Sequence, residues 1–496
     1  MSQLTLTTRR QSHGLRRPGG VVVAILVVAL LLAAAWSLKG RGYLYALKLR
    51  LGLAEARPAL TTDIQRTGSI PGVDRSGRVY PPVDPDLRFE RVALPASAGN
   101  GYTCVAAGPD GALWAATDDG RILRFPISSG GMLGEPSTFG SLRNAWGGDR
   151  LLVGICFDPS APPEAPVIWA THSQFAFHGA DDWSGAITRL SGPQLDEVQD
   201  VVIGLPRSTG DHATNQSAFG PDGALYIPQA SNTAYGAPDA VWGMRPERLL
   251  NASILRLDVD RLPAKLPLDV RTDEGGTYDP AAPDAPLTIH ATGVRLAYDL
   301  CWTRDGRLWA PVNGSSPGGN APASPDGSAP ALEAIPMSEP DWLVRIIPGR
   351  YYGHPNPQQG HYVLNGGNPT PERDFAEIVQ YPVGTLPDER WEAPAADLGA
   401  HQSADGLIEY RAAGSTAGER KLDGALVICR YSLGGDLIAV LLAPDGGVAE
   451  IVEGIPGFTG FANPLDVTQD PATGHLYVAD YGERAIVLLR AVRPGL

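Results

Sequence analysis

A short pattern of apolar and polar residues recurs six times along most of this chain. Each copy has an apolar strand, a tight turn of the Asp-Gly type, and a return strand that opens with an aliphatic and, most often, an aromatic residue. Asp-Gly between two alternating strands is a strong short-range signal for a β-hairpin. The closest copies are GPDGALWAAT at 108–117, GPDGALYIPQ at 220–229 and TRDGRLWAPV at 303–312, and looser copies lie at 157–171, 422–430 and 470–480.

Six such hairpins, with no convincing long amphipathic helix between them, indicate radial repetition. A hairpin alone cannot bury both of its faces, whereas six four-stranded blades closed into a ring bury them and leave few exposed edges. The repeats are spaced more widely than the ~40–45 residues of a minimal blade, so loops are inserted, the longest between Trp309 and Val427. The predicted fold class is therefore all-β, a six-bladed β-propeller over residues 95–494 preceded by a single transmembrane helix.

The hydrophobic pattern before the repeats is of a different kind. Residues 21–38 read VVVAILVVALLLAAAWSL without a charge, and two glycines extend the run to 19–38. At ~1.5 Å per residue this run spans a hydrocarbon core of ~30 Å. A basic segment, 1–18, precedes it and a Pro- and Gly-rich linker, 39–94, follows it. We expect a signal anchor that holds the propeller on the periplasmic or extracellular side of a membrane, with a cleaved signal peptide as the alternative.

Composition and charge exclude several classes of protein. Hydrophobic residues make up 43% and charged residues 19% of the 496 residues, which predicts a real core. The net charge is −14, and because the first 50 residues carry eight basic side chains and no acidic one, the remainder carries −22. General nucleic-acid binding is therefore not expected. The common nucleotide-binding, zinc-protease and serine-hydrolase motifs do not occur. The four cysteines show no metal-site spacing and are interpreted as buried free thiols or as disulfide partners.

Aligning the repeats on their turns brings polar residues to one end of the hairpins. Asn100, His212 and Arg295 each lie ten residues before the aspartate of their turn. A hairpin brings its two free ends together, so these side chains should share the face opposite the turns, here called the top face, around one axial pocket. Polar residues also end the return strands, namely Thr117, His172, Gln229, Arg430 and Asp480.

Three of these positions suit catalysis or binding. The imidazole of His212 suits a general base that removes a hydroxyl proton, and a capped surface histidine is the alternative. Arg295 suits the stabilisation of an oxyanion, and a structural salt bridge is the alternative. Carbonyl groups in the loop that begins Asn313-Gly314-Ser315 suit a hard cation, and a flexible surface loop is the alternative.

At these residues the chain resembles the glucose/sorbosone dehydrogenase family, the soluble quinoprotein sugar dehydrogenases. The resemblance covers roughly residues 95–494. It rests on DHATNQSAFGPDGALYI at 211–227, TGVRLAYDLCWTRDGRLWAPVNGSSPGGN at 292–320, YYGHPNP at 351–357 and NPLDVTQDPATGHLYVAD at 463–480. The order and spacing of these blocks carry it, more than any single block.

The resemblance implies a six-bladed propeller that binds pyrroloquinoline quinone and Ca²⁺ on its top face, a small sugar substrate and an external electron acceptor. It implies that His212 takes the sugar hydroxyl proton while a hydride moves to the quinone, and that Arg295 binds the carbonyl region of the quinone. The further site residues are Asp211 and Gln229 toward the sugar, Asn313 and Arg430 toward the quinone, and the carbonyls of Gly314 and Ser315 toward Ca²⁺.

The chain also departs from the family pattern. The family's Arg-Asn-Pro reads Arg295-Leu296-Ala297 here, and few basic residues surround Arg430. These departures favour a second hypothesis, a non-catalytic propeller that binds a carbohydrate or a protein partner through its top face. A third is a propeller lactonase whose metal would be bound by Asn100, Asn313 and Asp480.

Overall fold

A computed structural model describes residues 80–414 and 416–492, and every structural statement below refers to these residues. The predicted basic segment 1–18, the predicted membrane helix 19–38 and the predicted linker up to residue 79 lie outside them. Across the described ranges, no helix is long and apolar enough to span a bilayer.

The first three blades follow one another along the chain. The first contains β2 (Tyr102–Ala107), β3 (Leu113–Thr117), β4 (Ile122–Phe125) and β5 (Ser137–Phe139). The second contains β6 (Arg150–Phe157), β7 (Ile168–Gln174), β8 (Gly185–Ser191) and β9 (Glu197–Leu205), with β13 (Leu268–Asp269) added parallel to β9. The third contains β10 (Ala218–Phe219), β11 (Leu225–Gln229), β12 (Ser253–Leu257) and β14 (Leu287–Thr292).

The remaining three blades complete the ring. The fourth contains β15 (Cys301–Trp302), β16 (Leu308–Val312), β17 (Pro340–Ile346) and β18 (Ala396–Ala400). The fifth contains β19 (Ala404–Glu409), β20 (Leu426–Arg430), β21 (Asp436–Leu442) and β22 (Val448–Val452). The sixth contains β23 (Pro464–Gln469), β24 (Leu476–Asp480), β25 (Ala485–Ala491) and β1 (Phe89–Ala93). Two short helices, α1 (Ser141–Trp146) and α2 (Ala417–Leu422), lie between strands.

The six-bladed propeller predicted from the repeats is confirmed. Each predicted hairpin forms the first two strands of one blade, and the first strand is the innermost. The longest inserted loops lie before β17 and before β18, within the predicted interval between Trp309 and Val427.

In two of the three closest copies a hydrogen bond across the turn joins the aspartate to the aromatic residue, whereas in the third Trp309 Nε1 is buried without a partner among the described residues. The Nε1 of Trp114 donates to Asp110 at 3.0 Å, and the hydroxyl of Tyr226 donates to Asp222 at 3.1 Å. The turn glycine after Asp110, Gly111, has a φ of 75°, which a residue with a side chain adopts only at a cost. In these two copies the repeat therefore encodes both the turn and the side-chain contact that holds it closed.

The core lies between adjacent blades. The first aliphatic residue of every return strand is at most 2% exposed and packs against the neighbouring sheet. These residues are Leu113, Ile168, Leu225, Leu308, Leu426 and Leu476. Burying such a side chain is worth ~1.5–3 kcal/mol, so the six positions fix how the blades are stacked.

The ring is closed by a strand from the start of the described chain. β1 pairs antiparallel with β25, with Phe89 opposite Ala491 and Ala93 opposite Val487. This strand lies inside the stretch predicted as a linker, 39–94, so propeller pairing begins six residues before residue 95. The side chain of Phe89 is 6% exposed and packs on Phe458, with ring centroids 4.7 Å apart.

Candidate active site

The innermost strands place equivalent residues in layers around the axis. The last residue of each inner strand pairs with the first aliphatic residue of its return strand, which gives a common reference in all six blades. Four residues before that reference, every blade contributes one side chain to the same cavity of about 380 Å³, here called the first cavity. These side chains are Thr103, Val153, Asn215, Tyr298, Asp405 and Leu465.

A second cavity of about 360 Å³ adjoins the first on the side of the third and fourth blades. His212, Trp242 and Arg295 line it, together with the loop that begins at Gly314. The residues shared by the two cavities are Asp211, Leu296, Asn313, Ser403 and Tyr431. The two cavities are thus neighbouring compartments at one end of the axis.

The structure brings most of the predicted site residues together. The group that lines the second cavity consists of Asp211, His212, Arg295, Asn313, Gly314 and Ser315. His212 and Arg295 lie at the same register, seven residues before the reference of the third and fourth blades. Adjacent blades therefore present the imidazole and the guanidinium to one space.

Gln229 and Arg430 line neither cavity. The side chain of Gln229 is 1% exposed, donates to Pro206 O at 2.9 Å and accepts from Thr214 at 2.8 Å. Arg430 is 2% exposed and forms salt bridges with Asp436 and Glu453, both at 2.6 Å. Both side chains hold the structure instead of facing a ligand.

The other polar positions singled out by the repeat alignment are also structural. His172 accepts from Arg150 Nε at 3.1 Å and contacts Thr188 at 2.8 Å, and Asp480 accepts backbone N–H groups of residues 462 and 463 at 2.7 Å. Asn100 and Asp480 line neither cavity, so the three proposed lactonase ligands do not converge. In residues 80–414 and 416–492, no three His, Cys, Asp or Glu side chains form a metal-type cluster.

Two hydrogen bonds set the tautomer of His212. Its Nδ1 lies 2.9 Å from Ser231 O and 3.1 Å from Ser231 Oγ. A carbonyl oxygen only accepts, so Nδ1 carries the proton and Nε2 carries the lone pair. Burial, followed by the charge of Arg295, holds the pKa of His212 well below its usual range. The imidazole is neutral near pH 7 and is able to accept a proton at Nε2, which has no hydrogen-bond partner in the described part of the chain.

A buried carboxylate holds the loop that carries Ser231. Glu247 is 3% exposed and accepts from the backbone N–H groups of Asn232 and Thr233, each at 3.0 Å. It also accepts from the Thr233 hydroxyl at 2.6 Å and contacts His354 Nε2 at 3.0 Å. The carbonyl that orients His212 is thereby fixed.

One side of the Arg295 guanidinium is hydrogen-bonded within the protein. Nε donates to Ala234 O, and Nη1 donates to the carbonyls of Asn313 and Gly314, all at 3.1 Å. Among the described residues Nη2 has no hydrogen-bond partner, and the side chain lines the second cavity. Burial lowers the pKa of Arg295, but the group stays cationic near neutral pH. Its Nη2 is therefore available to an anion or a carbonyl.

Trp242 forms the wall between these two groups. Its ring lies 4.2 Å from the His212 ring, centroid to centroid, and 5.8 Å from the guanidinium carbon of Arg295. The indole is half-buried, so one part packs on the imidazole and the rest borders the cavity. It shields the imidazole from water and offers an apolar surface to a ligand.

The Gly314–Ser315 loop has buried carboxylates behind it. Gly314 N donates to Asp341 at 2.9 Å, and Ser315 N donates to Glu339 at 3.1 Å. Burial raises the pKa of Asp341 to about 6, and it also raises that of Glu339. The Gly314 and Ser315 carbonyls accept from Arg295 and Tyr235. A carbonyl has two lone pairs, and those of Ser315 are both engaged, because Glu339 N also donates to its oxygen at 2.9 Å. The Gly314 carbonyl has His401 as a second partner besides Arg295.

The sequence pattern did not identify several residues of the site. Tyr298 and Asp405 lie at the same register as Asn215. Tyr298 lies three residues after Arg295, as Asn215 does after His212, so extending the alignment by three residues would have found it. The longer loop before Asp423, in contrast, hides Asp405. Ser231 and Trp242 lie in the irregular segment between β11 and β12, where no periodic signal exists. Their positions depend on the tertiary structure alone.

Comparisons with known proteins agree with this architecture. A sequence profile for the family "Strictosidine synthase-like, N-terminal" matches residues 104–125. The chain is similar to the PQQ-bound form of aldose sugar dehydrogenase from Streptomyces coelicolor, at 19% identity over 82% of this chain and 98% of that one, with a TM-score of 0.51. It is similar to a calcium structure of the carbohydrate-active enzyme family AA12 from Trichoderma reesei, at 15% identity over 83% and 97%, TM-score 0.53.

A third similar structure is the holo form of the pyranose dehydrogenase PQQ domain from Coprinopsis cinerea. It is 12% identical over 81% of this chain and 97% of that one, with a TM-score of 0.52. At these identities the similarity shows a shared fold, and function is argued from the site. The chain, a six-bladed propeller, shares its fold with these three structures.

Proposed function

We propose that this protein is a sugar dehydrogenase of the quinoprotein kind, in which His212 is the base that takes a proton from a sugar hydroxyl. One observation carries the proposal: the neutral His212, with its Nε2 lone pair free, lines the same cavity as the unpaired Nη2 of Arg295. A proton acceptor beside a fixed positive charge is the arrangement that oxidation of an alcohol or hemiacetal carbon requires.

The lining of the first cavity supports a sugar as substrate. It combines the aromatic side chains of Phe177, Tyr431 and Tyr481 with the carboxylates of Asp118 and Asp211. Aromatic faces suit the C–H groups of a sugar ring, and carboxylate oxygens accept from its hydroxyl groups. Asp211 lies at the junction of both cavities, where it is able to hold the substrate beside His212.

The proton step follows from the hydrogen bonds of His212. The hydroxyl proton moves to Nε2 while the carbon's hydride leaves and its C–O bond becomes double. The imidazole becomes a cation, and its Nδ1–H bond to Ser231 O strengthens because the donor is now charged. Arg295 Nη2 provides a positive charge toward the accepting side of the cavity.

The second cavity offers a quinone cofactor one cationic side chain, Arg295, with its Nη2 unpaired among the described residues. When bound, pyrroloquinoline quinone supplies a two-electron hydride acceptor, which passes electrons to an external acceptor. Its three carboxylates carry three negative charges, whereas the second cavity combines the cation Arg295 with the acidic residues Asp211 and Asp239, so a cation such as Ca²⁺ would be needed to balance the cofactor's charge. The Gly314 and Ser315 carbonyls already accept from Arg295, Tyr235 and Glu339 N, so Ca²⁺ would bind them only by displacing one of these donors.

The test is sugar-dependent dye reduction by the full chain after reconstitution with quinone and Ca²⁺. Removing a general base lowers turnover by roughly 10²–10⁴-fold, which we expect for His212→Ala. His475→Asn, a histidine outside both cavities, is the matched control and should retain turnover. An inactive wild-type protein with an intact circular dichroism spectrum would remove the proposed activity.

The alternative function is a non-catalytic propeller that binds a carbohydrate or protein partner through its top face. It is favoured by the engagement of Arg430 in salt bridges and by Leu296 at the cavity wall. Because Arg430 is engaged elsewhere, Arg295 is the one lysine or arginine that lines the two cavities in the part of the chain described, which is few cations for a cofactor with three carboxylates. Titration with quinone, followed by absorbance, discriminates: a non-catalytic module shows no saturable binding.

We further propose, from the sequence, that residues 19–38 anchor the protein in a membrane with the propeller on the periplasmic or extracellular side. Protease added to intact cells should then digest the propeller, and release of a propeller lacking residues 1–38 would instead favour cleavage.

A further inference from the structure

The first cavity has an unbalanced set of charged groups. Three carboxyl groups line it: those of Asp118 and Asp211, and that of Asp405, which is 3% exposed and whose pKa burial raises well above its ordinary value. Along residues 80–414 and 416–492, no lysine, arginine or histidine lines it. The positive charge of Arg295 belongs to the second cavity, so the two compartments differ in electrostatic character.

The hydrogen-bond donors of the first cavity are largely used within the protein. The Tyr298 hydroxyl donates to Thr103 O at 2.8 Å, and the Tyr481 hydroxyl donates to Asp118 at 2.8 Å. Thr103 Oγ1 donates to the backbone at 2.6 Å, and Asn215 Nδ2 donates to Ala297 O at 2.8 Å. What the walls still offer a ligand is mainly acceptor oxygens.

A buried amide gives an independent indication of a missing donor. Asn313 is 6% exposed and lines both cavities. Its Nδ2 donates to Asp405 at 2.9 Å, which orients the amide, but its Oδ1 is buried without a hydrogen-bond partner. An unpaired buried acceptor costs ~1–3 kcal/mol, a cost that a ligand donor would remove.

We propose that the first cavity is a subsite for a protonated amine, so that the preferred substrate is an amino sugar. An ammonium group has three donors and no acceptor, which matches carboxylates and an unpaired amide oxygen. Asp211 and Asp118 are the specificity-determining residues, and Asp211 connects the amine subsite to the compartment of His212. This inference rests on the proposed function for the identity of the substrate as a sugar.

Binding the amine in the first cavity also keeps its positive charge away from that of Arg295. An amine in the first cavity lies among carboxylates, whereas an amine in the second would face Arg295. An ammonium near two partly exposed carboxylates should bind roughly tenfold more tightly than a neutral hydroxyl there, which corresponds to ~1.4 kcal/mol. A metal ion is the rival occupant of acidic groups, but the described residues hold no metal-type cluster here.

The test is calorimetric binding to the full chain without quinone, in calcium-free buffer near neutral pH. The probes are glucosamine, glucose and N-acetylglucosamine, which share a ring and differ in the group at one carbon. We expect glucosamine to bind about tenfold more tightly than the other two. Asp118→Asn and Asp211→Asn should each weaken glucosamine severalfold without affecting glucose comparably. Asp260→Asn, an exposed carboxylate outside both cavities, should change nothing.

Equal binding of the three sugars would overturn the inference, as would glucosamine binding that persists in the Asp118 and Asp211 variants. Displacement of glucosamine by calcium chloride at equimolar concentration would assign the carboxylates to a metal instead. The wild-type comparison stands even if a variant fails to fold. Selective amine binding without dye reduction would remove the proposed oxidation and leave the subsite. Dye reduction without amine selectivity would support the proposed oxidation and remove the amine subsite.

Discussion

A pair of carboxylates lies one layer beneath the first cavity, three residues before the inner-strand reference. Asp299 accepts backbone N–H groups from Leu300 at 2.7 Å and from Leu407 at 3.0 Å, and Asp466 accepts from Val105 at 2.7 Å. Burial, with the charge of Asp466 added, raises the pKa of Asp299 well above its ordinary value of 3.8. We therefore expect Asp299→Asn to change how the stability of the propeller depends on pH.

Proton linkage determines whether this carboxyl group stabilises the folded protein at low or at high pH. Because the pKa of Asp299 is higher in the folded than in the unfolded protein, its contribution to the free energy of unfolding is full at low pH and is lost as pH rises between the two values. In that window each pH unit costs ~1.4 kcal/mol per proton. The asparagine side chain does not titrate, so the variant does not lose this stability as pH rises. Replacing an accepting oxygen with an amide nitrogen, however, costs ~1 kcal/mol of folding free energy at every pH. The variant should be less stable than the wild type near pH 4 and more stable near pH 8.

Urea unfolding of the full chain, at intervals from about pH 4 to about pH 8, measures this difference. Asp260→Asn removes an exposed carboxylate and controls for the change in net charge. A constant difference between the Asp299→Asn protein and the wild type across this range would refute the assignment of a buried, proton-holding pair.

Three further outcomes follow from the packing. Arg430→Met leaves two carboxylates without their cation and should lower the free energy of unfolding by ~3–5 kcal/mol, measured as a fall in the urea midpoint. Gly406→Ala would place a Cβ 2.5 Å from the Cα of Asp466 and should cost ~1–3 kcal/mol, whereas a Cβ on Gly148 meets nothing within 4 Å and its alanine variant should be near neutral. Burial raises the pKa of all four thiols, but of these only Cys104 and Cys429 are fully buried. An aromatic disulfide reagent should therefore leave these two unreacted in the native protein at neutral pH, and their reaction there would contradict their burial; in urea it should react with all four thiols. These thiols are Cys104, Cys156, Cys301 and Cys429.

The fold was predictable because each blade repeats a local signal. The Asp-Gly turn and the aliphatic-aromatic start of the return strand are both within a few residues of each other, and both contribute to the same hairpin. β1 carries no such signal, since its only partner strand begins almost four hundred residues later and its neighbours in sequence are prolines and glycines. Contacts between distant segments leave little trace in a short stretch of sequence.

The site was predictable only in part, for the same reason. Aligning the turns placed His212 and Arg295 at one register, and the structure places them in one cavity. The alignment also identified Arg430 as the end of β20, but it could not show in which direction the side chain of Arg430 points. Arg430 pairs across the hairpin with Asp436, a neighbour six residues away that the sequence does display. A search for opposite charges across each hairpin would have assigned Arg430 to a salt bridge.

The pairing of β1 with β25 has a consequence for how the protein is made. The outermost strand of the sixth blade is synthesised before any of the five other blades, yet its partner, β25, is synthesised after all five of them. Ring closure therefore waits until residues 485–491 have been synthesised, and until then β1 lacks its partner strand. Chains that stop short of residue 485 should remain open and become substrates for quality control.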